Sequence, residues 1–184
     1  MAALDAQSSG DLYGGATGKH TDFERYRAPQ NVAANLGRIL VRNDRGQAAF
    51  EIDSGTQPSA DIVRVRALTG DAVCVIPGRA LLGGDIVEIV DPNQETLAAI
   101  ERVELSPVRD CFTVHRGSKA PWRVDGRVVD YEYLLWEQDA EIAEVSRRWF
   151  RARDSFGVQV ADGQPDLLVM TVAVCLDLIV HAGR

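Results

Sequence analysis

The chain has 184 residues, a length that suits one folded domain with a tail and requires no second domain. Its formal net charge of −7 and its pI near 5.0 oppose broad attraction to nucleic acid or anionic lipid, so we predict no nucleic-acid partner. Its three cysteines are far apart and include no Cys-x-x-Cys pair, a pattern that gives no sign of zinc or redox chemistry and fits a reduced cytoplasm.

The N-terminal segment is rich in Gly, Ser, Ala and Asp. Such a composition buries too little apolar surface to offset the entropy of ordering, so we predict a flexible tail over residues 1–27 and a folded domain over residues 28–184. The stretch from Met1 to Lys19 contains no apolar core of the kind that a signal peptide requires. We therefore expect a cytoplasmic protein.

Short β-branched segments fill the chain between Gly37 and Val160, separated by clusters of Gly, Pro, Asn and Asp, a spacing typical of an all-β sandwich or barrel. Three hairpin-like passages, at residues 44–52, 91–103 and 137–145, indicate a meander within one sheet. The predicted strands cover residues 39–42, 48–52, 62–68, 72–76, 86–90, 97–103, 111–115, 122–124, 128–136, 141–150 and 156–160.

The run from Leu167 to Val180 is apolar except for Thr171 and Asp177. An apolar run this long without a polar face, preceded by Pro165, predicts one helix over residues 165–182 that is enclosed by protein or by lipid. A membrane span needs about twenty apolar residues, and a charge near its centre is costly, so we predict no transmembrane segment.

A sheet of about ten to twelve short strands tends to curl and close, and a barrel of that size can enclose more than its own side chains. The apolar helix is the natural occupant, because enclosure removes both the sheet edges and the exposed apolar surface. The predicted fold is therefore mainly β: a closed antiparallel barrel around a central, hydrophobic C-terminal helix.

The C-terminal half resembles the signature of the LURP-one-related family, in the segments at residues 122–126, 130–133, 142–150, 153–158 and 161–163 and in the apolar helix that follows. The resemblance implies a barrel of twelve strands around a central helix, the architecture shared with tubby C-terminal domains and phospholipid scramblases. Many family members are uncharacterised, whereas tubby domains bind phosphoinositides through a basic surface. A shared fold alone gives little warrant for a shared function.

Candidate catalytic and metal-binding residues are sparse. Asp177 and His181 stand one helical turn apart and could form an acid–base pair, or Asp177 could be a buried carboxylate satisfied by other donors. Cys111 and His115 are about 13 Å apart on an extended strand, too far for a dyad. His20, His115 and His181 are too scattered for a metal site, and no phosphate-binding loop, dinucleotide fingerprint or nucleophile elbow is present. We predict no enzyme activity, no metal and no cofactor.

Basic side chains offer the alternative function of phosphoinositide or anionic-lipid binding at a membrane surface. The bland interpretation of the arginines between positions 147 and 153 is that they are surface residues paired with neighbours such as Glu144 and Asp154. The three tryptophans could form a binding platform or pack in the core. The candidate lipid or phosphate ligands are Lys119, Arg123, Arg147, Arg148, Arg151 and Arg153.

The leading hypothesis is a non-enzymatic scaffold or binding module for an unknown protein partner or ligand. Anionic-lipid binding is the alternative, and an enzyme that uses a pocket of distant residues is a third reading. The sequence leaves the ligand, the partner and the oligomeric state open.

Overall fold

The computed structural model describes residues 23–30, 32, 37–55, 62–77, 86–105, 110–127, 130–147 and 155–182. These residues form twelve strands and one helix. In chain order the elements are β1 (Phe23–Pro29), β2 (Arg38–Asn43), β3 (Ala48–Asp53), β4 (Ile62–Ala67), β5 (Val73–Pro77), β6 (Ile86–Val90), β7 (Thr96–Leu105), β8 (Asp110–Arg116), β9 (Lys119–Arg127), β10 (Glu132–Glu137), β11 (Ala140–Ser146), β12 (Ser155–Ala161) and α1 (Asp166–Ala182).

The strands form a closed antiparallel barrel in which each strand pairs with its neighbours in sequence, and β1 pairs with β12 to complete the ring. The closing ladder runs from Phe23 opposite Ala161 to Pro29 opposite Ser155. Register shifts interrupt several ladders, for example between Leu135 and Trp136. Such bulges bend and twist the sheet, as closure of a barrel requires.

Six short turns lie at one end of the barrel, which we call the turn end. Five of them join consecutive strands, and the sixth, around Gly163, leads from β12 into α1. Gly163 has a φ of +80°, a conformation that glycine adopts without steric cost. At the opposite end, which we call the far end, β1 and β11 finish and β10 begins. The turns cover residues 44–47, 68–72, 91–95, 117–118, 138–139 and 162–165.

Helix α1 runs through the barrel from the turn end towards the far end. All of its residues from Val169 to Leu178 are buried, including Thr171 and Asp177. Thr171 Oγ1 donates to the carbonyl of Leu167 at 2.7 Å, so its hydroxyl is satisfied within the helix. None of the helices in the described part of the chain has the length and hydropathy needed to cross a bilayer.

The predicted fold class is confirmed: the protein is a closed antiparallel barrel around its C-terminal helix. The predicted helix agrees with α1 within one residue, and each of the three hairpin-like passages is a hairpin at the turn end. The predicted strand at 128–136 begins too early, because β10 begins only at Glu132, after a turn in which Tyr131 has a φ of +56°. Residues 128 and 129 lie outside the described residues.

The predicted boundary between tail and domain falls inside a strand. β1 begins at Phe23, so the last five residues of the predicted tail belong to the barrel. The physical reason is the alternation of β1, in which Tyr26 and Ala28 are buried while Arg25 and Arg27 face outward. Residues 1–22 lie outside the described residues, and there the flexible tail stays a prediction.

Candidate functional site

The interior of the barrel is filled with apolar side chains that pack around α1. Every strand from β2 to β12 contributes an inward residue with no more than 1% of its surface exposed. Because the interior is closely packed, the places where a ligand could bind are the outer surface and the two ends of the barrel. The inward residues, one from each strand from β2 to β12, are Val41, Ile52, Val65, Ile76, Ile89, Ile100, Val114, Val124, Leu135, Val145 and Val158.

A buried polar cluster near the far end surrounds Asp177, which is fully buried on α1. Its carboxylate accepts the backbone N–H of Val32 at 2.8 Å and the hydroxyl of Tyr131. Burial, together with the neighbouring carboxylate, raises the pKa of Tyr131 above its ordinary value, so the phenol keeps its proton. The interpretation of Asp177 as a satisfied buried carboxylate is confirmed, whereas the side chain of His181 lies outside the described residues.

A second polar cluster lies near the turn end, where α1 begins. The hydroxyl of Tyr26 is 2.5 Å from Glu24 Oε2 and 2.7 Å from Asp166 Oδ2. Burial raises the pKa of the Asp166 carboxyl group, although the hydrogen bond from Tyr26 opposes the rise. The cluster attaches β1 to the start of α1.

A third group of buried polar side chains belongs to β7, β8 and β10. Asp110 is 2% exposed, and its burial raises the pKa of its carboxyl group, although the charge of Arg102 opposes the rise. Burial likewise raises the pKa of Tyr133, which is 1% exposed. Among the described residues, neither Asp110 Oδ1 nor the Tyr133 hydroxyl has a hydrogen-bond partner.

The structure does not bring the described candidate cations together. Lys119 lies at the turn end, where β9 begins, and Arg147 follows the last residue of β11 at the far end. The nine residues of β9 between these levels, Lys119–Arg127, extend for about 26 Å. Arg123 lies midway and forms an ion pair with Asp125 at 3.0 Å. Arg148, Arg151 and Arg153 lie outside the described residues, and their role in lipid binding stays a prediction.

Arg147 is held at the far end by two contacts. Its Nη2 donates to Gln30 Oε1 at 2.8 Å, and its guanidinium carbon lies 5.4 Å from the ring centroid of Tyr131. Tyr131 in turn donates to Asp177. These contacts give the exposed guanidinium a defined position beside the buried cluster.

The remaining candidates occupy structural positions. Cys111 and His115 both face outward on β8, and His115 Nε2 lies 2.9 Å from Glu101 Oε2 on the neighbouring strand. Trp122 is fully buried beneath the guanidinium of Arg116, 4.1 Å from its ring centroid, so the interpretation as a core residue is confirmed for this tryptophan. Trp149 lies outside the described residues. In the described part of the chain, no three His, Cys, Asp or Glu side chains could hold a metal ion.

A basic groove between β1 and β2 was missed by the sequence analysis. Among the described residues, the two strands are aligned at two pairs, Tyr26 with Asn43 and Arg27 with Arg42. A cavity of about 380 Å³ opens beside these pairs. The signal was present in the alternation of β1, which places Arg25 and Arg27 on one face. We call this cavity the basic groove; it is lined by Arg25, Tyr26, Arg27, Arg42, Asn43, Asp44 and Gly46.

Comparison with known proteins agrees with this architecture. The model of the family described as LURP-one-related matches residues 30–177. The uncharacterized protein YxjI of Bacillus subtilis (strain 168) is 22% identical to the chain, in an alignment that covers 58% of this chain and 77% of that protein. The X-ray structure of a protein from Arabidopsis thaliana has a TM-score of 0.56 at 15% identity and covers 88% of this chain and 92% of its own. At this identity, the structural likeness concerns the fold alone.

Proposed function

The chain belongs to the LURP-one-related family, and we propose that it is a non-enzymatic binding module of the cytoplasm that holds its ligand or protein partner on the outside of the barrel. The filled interior is the observation that supports this proposal. From Val169 to Leu178, α1 occupies the space in which other barrels hold a ligand, and its side chains are at most 3% exposed.

Two carboxyl groups of the helix also support the proposal, because their contacts fix its position in the barrel. Asp177 accepts two hydrogen bonds near the far end, and Asp166 accepts one from Tyr26 near the turn end. A carboxylate used in this way holds two elements in register. Such a framework presents a rigid outer surface, which suits recognition.

The test is a thermal-shift screen of the full chain against metabolites and phosphorylated compounds, followed by NMR of each stabilising compound. A ligand present at about 100 times its Kd should stabilise the fold by about 2.7 kcal/mol, which raises Tm by roughly 5–10 °C. We expect the compound to be recovered unchanged. Turnover of a compound that a single substitution abolishes would overturn the proposal.

A second candidate function is anionic-lipid binding at the far end, and the exposed, positioned guanidinium of Arg147 favours it. The test is co-sedimentation of the full chain with phosphatidylcholine vesicles that contain or lack a phosphatidylinositol phosphate. Binding should require the anionic lipid, weaken from low to physiological salt, and fall in Arg147→Ala but not in Arg66→Ala, whose arginine is paired with Glu51. Equal binding by both variants would contradict this candidate.

A further inference from the structure

A cavity of about 740 Å³ opens at the turn end of the barrel, where α1 begins. The helix leaves part of the sheet uncovered there: Ala67 continues the inward alternation of Val63 and Val65 on β4, yet it is partly exposed. Leu167, in the first turn of α1, is also only partly buried, whereas residues 169–178 are buried. We call this space the turn-end cavity; it is lined by Glu24, Tyr26, Asn43, Gln47, Ala48, Ala49, Phe50, Ala67, Thr69, Pro165, Asp166 and Leu167.

Apolar and aromatic side chains form the larger part of the cavity wall. Tyr26 and Phe50 pack edge to face on one side, with ring centroids 4.9 Å apart, and Leu167 of the helix contributes another side. Small-molecule sites have volumes of about 300–1,000 Å³, are lined mainly by apolar and aromatic groups, and occur in the mouths of β-barrels. The volume, the wall and the location of the turn-end cavity therefore suit an organic molecule.

The charge on the cavity wall is negative. Glu24 and Asp166 are the only charged side chains among its described lining residues, and the hydroxyl oxygen of Tyr26 contacts a carboxyl oxygen of each, so the two groups are neighbours. In the described part of the chain, neither carboxyl group forms an ion pair with a basic side chain. A positively charged ligand would complement this wall.

The electrostatic environment of Asp166 agrees with that complementarity. Burial raises the pKa of its carboxyl group, the negative charges of Glu24 and Asp162 raise it further, and the hydrogen bond from Tyr26 opposes the rise. A cation in the cavity would act against all three of the raising effects or offset their cost, because it favours the ionised carboxylate. Aromatic side chains such as Tyr26 and Phe50 also attract organic ammonium groups.

We propose that the turn-end cavity binds an organic amine in its ammonium form, with the nitrogen beside the two carboxyl groups and the apolar part against Phe50 and Leu167. A metal ion fits the wall less well, since no three His, Cys, Asp or Glu side chains of the described residues could hold one. The inference rests on the proposed function, because it assigns a ligand class and a location to the binding module.

The experiment measures binding of the full chain by calorimetry at neutral pH and low salt, with three probes of similar shape: phenethylamine, neutral phenethyl alcohol and anionic phenylacetate. Glu24→Gln removes one carboxylate, and Ala67→Leu fills part of the cavity without changing its charge. The matched control is Glu95→Gln, which removes the same charge from the exposed turn between β6 and β7, at the same end of the barrel. Thermal unfolding of each variant checks that it is folded.

We expect phenethylamine to bind about tenfold or more tightly than phenethyl alcohol, and phenylacetate to bind more weakly than either. Glu24→Gln and Ala67→Leu should each weaken binding of the amine about tenfold or more, and Glu95→Gln should change it less than about twofold.

Absence of amine binding, equal affinity for the three probes, unchanged binding in Ala67→Leu, or equal losses in Glu24→Gln and Glu95→Gln would overturn the inference. Each of these results leaves the proposed function standing, because a binding module could hold another ligand elsewhere on its surface. Chemical conversion of the bound amine would instead overturn the non-enzymatic function and support the cavity as its site.

Discussion

The contact between Gly126 and Tyr133 provides a sharp test of the packing. The two residues are Cα partners across β9 and β10, and the ring of Tyr133 lies over the glycine. A Cβ atom at position 126 would lie 2.0 Å from Tyr133 Cδ1, 2.4 Å from Cε1 and 3.0 Å from the carbonyl of Glu132. Gly126→Ala therefore requires the ring to move, although Tyr133 is only 1% exposed.

The cost of this movement follows from the surroundings of the ring. Overpacking a core costs about 1–3 kcal/mol, and displaced aromatic contacts add about 0.5–1.5 kcal/mol. Tyr133 makes an edge-to-face contact with Tyr131, with ring centroids 5.9 Å apart, so the shift also disturbs the donor to Asp177. We expect Gly126→Ala to lower the free energy of unfolding by about 2–4 kcal/mol and Tm by roughly 5–15 °C.

The assay is urea and thermal denaturation followed by circular dichroism. The control is Gly70→Ala, because a Cβ at Gly70 meets nothing within 4 Å, and its effect should stay within about 0.5 kcal/mol. In a double-mutant cycle with Tyr133→Leu, the combined loss should be smaller than the sum of the single losses, since the more flexible side chain relieves the collision. Equal stability of Gly126→Ala and Gly70→Ala, or an additive cycle, would refute the reasoning.

Three further predictions concern titratable side chains. Asp177→Ala leaves two buried donors unsatisfied, so we expect a loss of about 3–5 kcal/mol in urea denaturation; a loss below about 1 kcal/mol would contradict the role assigned to this carboxylate. The raised pKa of Asp110 means that its contribution to stability falls as the pH rises above about 4, and Asp110→Asn should remove that fall from the pH profile of the unfolding free energy. Hydrogen bonds from the backbone of Glu95 and from Asn93 lower the pKa of Asp91. The contribution of Asp91 to stability is therefore present above its ordinary pKa and is lost in acid, so Asp91→Asn should change the pH profile of the unfolding free energy in the opposite sense to Asp110→Asn. A change of the same sign in both variants would be inconsistent with these shifts. Cys175 is buried and its pKa is raised, whereas Cys111 is partly exposed. We therefore expect iodoacetamide to modify Cys111 in the native protein and to modify Cys175 only at the rate of unfolding, measured by mass spectrometry of labelled peptides. Rapid labelling of Cys175 would disprove its enclosure.

Local patterns were sufficient for the elements with a strong periodic signal. The absence of a polar face between Leu167 and Val180 predicted both the helix and its enclosure. Polar turn residues at regular spacing predicted the hairpins at the turn end, because short turns depend on residues that are close in sequence. The element that was missed, β1, has only two buried side chains, Tyr26 and Ala28, among seven residues, a signal too weak to stand out from a polar tail.

The same local patterns could not predict contacts between residues that are far apart in the sequence. The carboxylate of Asp177 accepts from a residue 145 positions earlier, and its pairing required the barrel to be closed first. The basic clusters show the same limit: Lys119 and Arg147 looked like parts of one surface and lie at opposite ends of the barrel, whereas Arg27 and Arg42 attracted no notice and face each other across a ladder.

The order of residues by itself therefore determined the type of element, its buried face and the enclosure of the helix, since hydrophobic periodicity acts over a few neighbouring residues. Only the tertiary structure decided which charges meet, because the register and closure of the strands place side chains from distant parts of the chain beside one another. The basic groove is a consequence of this strand pairing, which sets Arg42 opposite Arg27.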